Sequence, residues 1–163
     1  MTDASIALLP DRGVIGVRGD DAAHLLDSLI TNALAKLDGQ PAIHAGLLSP
    51  KGKILFDFFV LRHADGYLLE TARTDIDGLM KRLSLYRLRA KVEFRDLSEN
   101  YAVAAVWGGT ADLPTGAVAY PDPRGGDIGL RVLVPAGSQP AWPEVDAGAG
   151  AYAAHRIACA IPE

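Results

Sequence analysis

The chain has 163 residues, of which 49% are apolar, enough to fill the core of one ordinary domain or of two small lobes. Sixteen Lys and Arg residues against twenty Asp and Glu residues give a net charge of −4. No whole-molecule field therefore attracts nucleic acid or an anionic membrane, and such a partner has to be met by a local patch. The single cysteine, Cys159, excludes an internal disulfide and a cysteine cluster for zinc or iron–sulfur binding within the chain.

Targeting and metal-binding signals are both missing from the sequence. The first residues lack the basic and apolar regions of a signal peptide, and no run of about 18 apolar residues occurs. We therefore expect a soluble, cytoplasmic protein with no membrane partner. The four histidines show no ligand spacing, so we predict no metal site.

Apolar runs and turn residues predict the elements of the first half. Residues 5–9 and 13–18 are typical of two strands separated by a turn, and a helix that Asp20 can cap follows them. Residues 41–72 predict a meander of three strands with turns at residues 49–52 and 64–66. A second helix is predicted to start near Thr74 and Asp77, and the alternation of residues 88–95 predicts a half-buried strand.

This order, β-α-β-β-β-α-β, is typical of an α+β fold with mostly antiparallel sheets and helices packed on one face, in a split ferredoxin-like arrangement. After residue 100 the pattern of apolar and turn-forming residues changes. Strands are predicted at residues 101–107 and 128–134, with a loop-rich stretch between them and a last helix over about 149–159. We therefore predict a first lobe over residues 1–97 and part of a second, similar lobe over residues 98–163.

Asp57 is the most informative single position. It lies in a strand, residues 54–61, that is otherwise apolar on both faces, and its own face carries Leu55, Phe59 and Leu61. A buried carboxylate costs several kcal/mol unless a cation or several hydrogen-bond donors meet it. Two interpretations stay open, a ligand that supplies the donors or an internal ion pair with an arginine such as Arg87 or Arg89.

A basic segment covers residues 81–95. Six cations against one anion, Glu93, give this segment a net charge of +5 and leave the remainder of the chain at −9. Such a segment can dock a carboxylate tail or a phosphate backbone, although a charged strand face is more often simply solvated. Only one aromatic residue, Tyr86, lies near it, which argues against a stacking platform for single-stranded nucleic acid.

Other reactive residues give weaker signals. Cys159 lies among apolar residues of the last predicted helix, which favours a buried, inert thiol. Lys51 and Gly52 fit either a ligand-facing loop or the tip of a hairpin. The sequence contains no phosphate loop, dinucleotide fingerprint or HExxH motif.

Four short segments in order resemble the YgfZ group of the GcvT-like folate-binding family. They are residues 17–22, 29–32, 47–57 and 86–92, and residues 156–163 resemble the family more weakly. Two positions depart from the family pattern, since Ala33 and Ala158 stand where many relatives carry an acid. The Lys-Gly-Cys-Tyr-x-Gly-Gln-Glu signature of the YgfZ branch is also absent from this chain.

The resemblance implies a tetrahydrofolate site in a central channel, with Asp57 placed against the folate and acting as the catalytically important acid in the aminomethyltransferase branch. The folate-binding residues that it implies are Asp57, Asn32, Lys51, Tyr86, Arg87 and Arg89. It also implies a chain that lacks its C-terminal half, which we expect as a segment or separate chain needed to complete the site.

Three functions remain open on the sequence. The favoured one is a tetrahydrofolate-binding factor that assists assembly or repair of iron–sulfur client proteins. The second is an aminomethyltransferase like the glycine-cleavage T-protein, although we do not expect this chain alone to be catalytic. The third is a non-catalytic module that binds tRNA or a protein through its basic segment.

Overall fold

A computed structural model describes residues 3–138, 142–143 and 146–162. The chain divides into two compact units, one of Asp11–Ser98 and one that joins Met1–Pro10 to Glu99–Glu163. The predicted first lobe included residues 1–10, whereas in the structure strand β1 (Ser5–Leu8) pairs with strand β7 (Tyr101–Trp107) of the second unit. The two runs separated by Pro10 therefore belong to different sheets and do not form a hairpin.

The Asp11–Ser98 unit contains a five-stranded antiparallel sheet. Its strands are β2 (Arg12–Arg18), β3 (Ile43–Leu48), β4 (Ile54–His63), β5 (Gly66–Ala72) and β6 (Glu93–Asp96). They lie in the order β3-β4-β5-β2-β6, and every neighbouring pair is antiparallel. Without the edge strand β3, the order β4-β5-β2-β6 is the split arrangement that the element order predicts, so the α+β prediction is confirmed.

Both helices of this unit cover the same face of the sheet. They are α1 (Ala22–Leu29) and α2 (Ile76–Arg87). Because successive strand residues point to opposite faces, Phe58 and Leu69 turn inward and join Leu26 and Leu79 in one buried cluster. Asp57 and Phe59, the residues on either side of Phe58 in β4, lie on the face away from the helices.

Helix α1 begins one residue later than predicted. Asp21, not Asp20, is its N-cap residue, and no side chain caps the helix. The Asp21 carboxylate instead accepts a hydrogen bond of 2.7 Å from the backbone N–H of Lys91. Gly19 precedes the helix with φ of +129°, and a Cβ there would collide with the Lys91 carbonyl, so only glycine fits this close approach.

The predicted strand over residues 88–95 is wrong in its first half. Helix α2 continues to Arg87, Leu88 ends it with φ of +46° and ψ of −110°, and strand β6 begins only at Glu93. The reason is that the partner strand β2 ends at Arg18, which pairs with Glu93, so residues before Glu93 have no strand to pair with. Alternation alone did not reveal that limit.

The second unit is built on a four-stranded antiparallel sheet. Its strands are β1, β7, β8 (Val118–Pro121) and β9 (Leu130–Pro135), in the order β1-β7-β9-β8. Helix α3 (Ala149–Ala158) places Tyr152 and His155 against Trp107 of β7. The predicted strands over residues 101–107 and 128–134 correspond to β7 and β9, and the predicted last helix corresponds to α3.

Candidate functional site

Asp57 lies near the start of β4, on the sheet face away from the helices, and half of its side chain is exposed (50%). The prediction of a buried carboxylate is therefore wrong. The first residues of β4 lie at an open end of the sheet, where Ile54 and Leu55 are also exposed. An apolar sequence identified the strand but not which end of it the protein covers.

Asp57 contacts a histidine of the neighbouring strand, and among the described residues neither Arg87 nor Arg89 forms an ion pair. His44 of β3 brings Nε2 within 3.0 Å of Asp57 Oδ2, and 37% of the His44 side chain is exposed. In the β3–β4 hairpin, Gly46 pairs with Asp57 and His44 pairs with Phe59, so His44 and Asp57 are diagonal neighbours on one face. Counting back along β3 from the turn at residues 49–53 would pair Ala45 with Asp57, because the register shifts between Leu47 and Leu48, so no signal in the sequence identified His44.

Asn32, a predicted folate-binding residue, adjoins this pair. Its amide donates a 3.0 Å hydrogen bond to the His44 carbonyl, and its own carbonyl accepts one from Ala33. Thr31 exchanges hydrogen bonds with Gly46, through its backbone N–H and its hydroxyl. The segment Thr31–Asn32 thus runs along the edge of β3 and fixes the strand that carries His44.

A buried ion pair lies beside the Asp57–His44 pair on the same face. Glu70 is fully buried and accepts two hydrogen bonds from Arg12, of 2.8 and 2.9 Å. Phe59 lies between the two pairs, since its ring is 5.2 Å from the His44 ring and 5.9 Å from the Arg12 guanidinium. This arrangement places the half-exposed Asp57 carboxylate beside a buried ion pair.

The remaining predicted site residues lie elsewhere. Lys51 is exposed at the tip of the β3–β4 hairpin. Tyr86, Arg87 and Arg89 lie at the end of α2, where Arg87 donates to the carbonyl of Val92. That end of the helix is next to the end of β2. The last residue of β2, Arg18, and His63 of β4 both pair with Gly66, so they lie at the same level of the sheet. His63 is six residues, or about 20 Å, along β4 from Asp57. The structure therefore brings Asn32 to Asp57 but not Tyr86, Arg87 or Arg89.

A buried ion pair in the other unit, between Asp122 and Arg124, was not predicted from the sequence. The Asp122 carboxylate is 1% exposed and accepts hydrogen bonds of 3.0, 3.0 and 2.7 Å from the backbone N–H, Nε and Nη2 of Arg124. Burial by itself raises the pKa of Asp122, but the hydrogen bonds from Arg124 and the charges of Arg124 and Arg131 outweigh burial and hold it below its usual value. The sequence signal is the short Asp-x-Arg turn at residues 122–124.

Two classes of site receive no support in the described residues. Among residues 3–138, 142–143 and 146–162, no group of three or more His, Cys, Asp or Glu side chains is placed to hold a metal ion. No helix in that part of the chain is both long and apolar enough to cross a bilayer.

Comparison with known proteins places this geometry in a family. The profile of the GCVT N-terminal domain matches residues 10–113. The chain belongs to that family. Residues 10–113 contain the whole five-stranded sheet with Asp57, His44 and both of its helices. The family resemblance that the sequence segments indicated is therefore confirmed.

Two kinds of curated relative match. The chain is 33% identical over 147 residues to the iron-sulfur cluster assembly factor IBA57 homolog, mitochondrial, of Mycosarcoma maydis, and 32% identical over 151 residues to IBA57 of Homo sapiens. It is 28% identical over 93 residues to the tRNA-modifying protein YgfZ of Vibrio vulnificus. These matches cover 80%, 77% and 57% of this chain but only 36%, 41% and 29% of the relatives. The chain thus spans less than half the length of each of these relatives.

A solved structure shares the fold. The glycine cleavage system aminomethyltransferase T from Bartonella henselae matches 81% of this chain and 42% of its own chain, with a TM-score of 0.65. The two sequences are 16% identical over that match. At that identity the likeness establishes a common architecture and no common chemistry.

Proposed function

We propose that this chain is the folate-binding part of a protein that assists iron–sulfur cluster assembly, with the pterin of tetrahydrofolate bound at Asp57. The observation that carries the proposal is the half-exposed Asp57 carboxylate held by His44 inside the matched family domain. The names of the Mycosarcoma and human relatives, iron-sulfur cluster assembly factors, support the cellular role.

The hydrogen-bonding capacity of the Asp57 carboxylate fits a pterin ring. A pterin ring presents several N–H donors, and the half-exposed Asp57 carboxylate presents oxygens that accept hydrogen bonds. A carboxylate that is fixed by a neighbour on one side loses little freedom when a ligand binds on the other. In this proposal Asp57 accepts from the ring, His44 orients Asp57, and Asn32 holds the strand beneath them.

The rest of the site is proposed to lie outside this chain. The matched relatives are more than twice as long as the region they share with it, so we propose that a C-terminal half, in the same protein or as a separate chain, completes the pocket. Contacts from Lys51, Tyr86, Arg87 and Arg89 to the folate remain predictions of the family resemblance. Cytoplasmic location also remains a prediction, and the names of the two IBA57 relatives place those proteins in mitochondria.

The test is calorimetric titration of tetrahydrofolate into the chain, alone and mixed with a C-terminal companion made from the unmatched part of a relative. We expect binding in the mixture, and we expect Asp57→Asn to weaken it about tenfold or more, because a charge-assisted hydrogen bond is lost. Asp65→Asn is the matched control, since Asp65 is an exposed carboxylate of the same unit, at the β4–β5 turn.

The possible results of the titration have different consequences for the proposal. Equal weakening by Asp57→Asn and Asp65→Asn would assign the effect to general charge and remove Asp57 from the site. An absence of heat in both the chain and the mixture would end the folate proposal. Retained binding in His44→Gln with loss in His44→Leu would show that His44 acts through its hydrogen bond to Asp57.

A further inference from the structure

The end of helix α2 carries an unusual set of exposed apolar side chains. Leu85 is 68% exposed, Leu88 is 86% exposed and Tyr86 is 38% exposed. Leu85 lies two residues, about 200° around the helix, from the buried Leu83, so it points directly away from the core. We define the Leu88 surface as Leu85, Tyr86 and Leu88 together with the cations Lys81, Arg87, Arg89 and Lys91.

Leu88 is held in a backbone conformation that leucine rarely adopts. Its φ of +46° with ψ of −110° is a combination that glycine adopts readily and other residues rarely do. A bulky residue in such a conformation lowers stability. Leu88 is almost completely exposed, so packing does not offset this loss. Neither the fold nor the core therefore explains why leucine stands at this position.

The cations of the Leu88 surface differ from the other exposed arginines of the unit in their ion pairing. In the described part of the chain, no ion pair involves Lys81, Arg87, Arg89 or Lys91. On the sheet of the same unit, the exposed Arg18, Arg62 and Arg95 are each paired with a carboxylate, at 3.4, 2.8 and 2.7 Å. The contrast concentrates unpaired positive charge around the exposed leucines.

We propose that the Leu88 surface docks an acidic segment of a partner protein, with apolar side chains of that segment packed on Leu85 and Leu88. Charge complementarity selects the partner, because unpaired cations at an interface attract carboxylates and repel basic segments. The exposed leucines supply the apolar centre that such an interface requires. This inference goes beyond the proposed function, since it requires no folate and is centred on Leu85 and Leu88, which are not among the predicted folate-binding residues and lie about 20 Å along the sheet from Asp57.

The chemistry of the surface favours protein over nucleic acid. Single-stranded nucleic acid binds by stacking its bases on aromatic rings, and Tyr86 is the one aromatic side chain in this surface. The guanidinium of Arg82 already lies over the Tyr86 ring at 5.9 Å. The two most exposed members are aliphatic, and aliphatic side chains bind other apolar side chains rather than bases or phosphates.

The test uses a fluorescein-labelled helical peptide made of Glu and Leu, with fluorescence anisotropy as the readout. We expect the full chain to bind this peptide, and a control peptide with Leu replaced by Ser to bind much more weakly. Leu88→Ser should weaken binding about tenfold. The double variant Arg87→Glu/Arg89→Glu should weaken binding further and flatten its dependence on salt. Ile157→Ser is the matched control, because Ile157 is 68% exposed on helix α3 in the other unit.

Leu88→Gly separates docking from folding. Glycine relieves the positive φ, so this variant should unfold at a higher urea concentration than the wild type while binding the peptide as weakly as Leu88→Ser. Tetrahydrofolate titration of the same variant should be unchanged, which keeps this test independent of the folate proposal.

Several outcomes would overturn the inference. One is equal peptide binding by Leu88→Ser and Ile157→Ser. Another is failure of the wild-type chain to bind the peptide at low salt. A third is single-stranded RNA that displaces the peptide and loses affinity in the same variants, which would assign the surface to nucleic acid instead.

Discussion

Two carboxylates, Asp57 and Asp122, lie in different units of the chain and have opposite surroundings. Asp122 is 1% exposed and is met by three donors of Arg124, so its acceptor positions face the protein. Asp57 is 50% exposed, and its carboxylate is oriented by His44. The first arrangement is that of a structural ion pair, whereas the second keeps half of the side chain accessible to a ligand.

The comparison shows why burial alone is a poor guide to function. Sequence reasoning expected the important acid to be the buried one, but the fully buried acids, Asp122 and Glu70, are both paired with arginine. An enclosed pair of this kind adds little net stability, because burial of the charges offsets their attraction, but removal of one member is strongly destabilising. The two kinds of acid should therefore respond differently to the same substitution.

The largest effect is expected for Asp122→Ala. Removing this carboxylate leaves the nearly buried guanidinium of Arg124 without its main counter-charge, which should lower the free energy of unfolding by about 3–5 kcal/mol. Both tryptophans of the chain, Trp107 and Trp142, belong to the same unit as Asp122, so urea unfolding followed by tryptophan fluorescence reports on it. Asp127→Ala, an exposed acid of that unit, should change stability by less than about 0.5 kcal/mol.

A slightly smaller loss is expected for Glu70→Gln. Glu70 shares a sheet face with Asp57 but is fully buried against Arg12, so the substitution should cost about 3 kcal/mol. Circular dichroism with urea, supported by hydrogen exchange of β5, measures it. Glu93→Gln makes the same change in the exposed Glu93–Arg95 pair of the same unit and should cost less than about 1 kcal/mol. Equal losses would mean that burial does not separate the two classes of acid.

The next prediction concerns the dependence of the free energy of unfolding on pH. The pKa of Asp122 is lower in the folded chain than the usual value for aspartate, because hydrogen bonds and charges from Arg124 outweigh burial. The pair therefore contributes stability that is fully present above the unfolded pKa, near pH 4, and is lost as pH falls through the folded value. Tryptophan-monitored urea midpoints should fall below about pH 4 in the wild type and fall less in Asp122→Asn. Parallel curves for the two proteins would contradict this assignment.

Much of the architecture could be read from the sequence, because periodicity reports which face of an element is buried. The helical stripe from Ile76 to Leu83 and the meander of residues 41–72 both correspond to elements of the structure. The strand predicted over residues 88–95 failed because pairing depends on where the neighbouring strand ends, and Arg18 ends it. Alternation is a local signal, whereas the reach of a sheet is set by contacts distant in sequence.

The candidate site was harder to predict than the fold. Asp57 could be singled out because an acid in an apolar strand is unusual, but its partner depends on the register of a hairpin that contains a shift between Leu47 and Leu48. His44 therefore carried no signal of its own. The Leu88 surface was hidden for a related reason, since Leu88 alternates correctly for a buried strand residue and only the structure shows it to be exposed.

The smallest effect on stability is expected at the residue proposed to matter most for binding. Asp57→Asn replaces one partner of a half-exposed hydrogen-bonded pair, and such pairs contribute about 0–1 kcal/mol. The urea midpoint should therefore stay close to that of the wild type while affinity for tetrahydrofolate falls. A loss of more than about 2 kcal/mol would place Asp57 with Asp122 among the structural acids. In that case the carboxylate would be holding β3 to β4 through His44, and the ligand would have to bind elsewhere on the sheet.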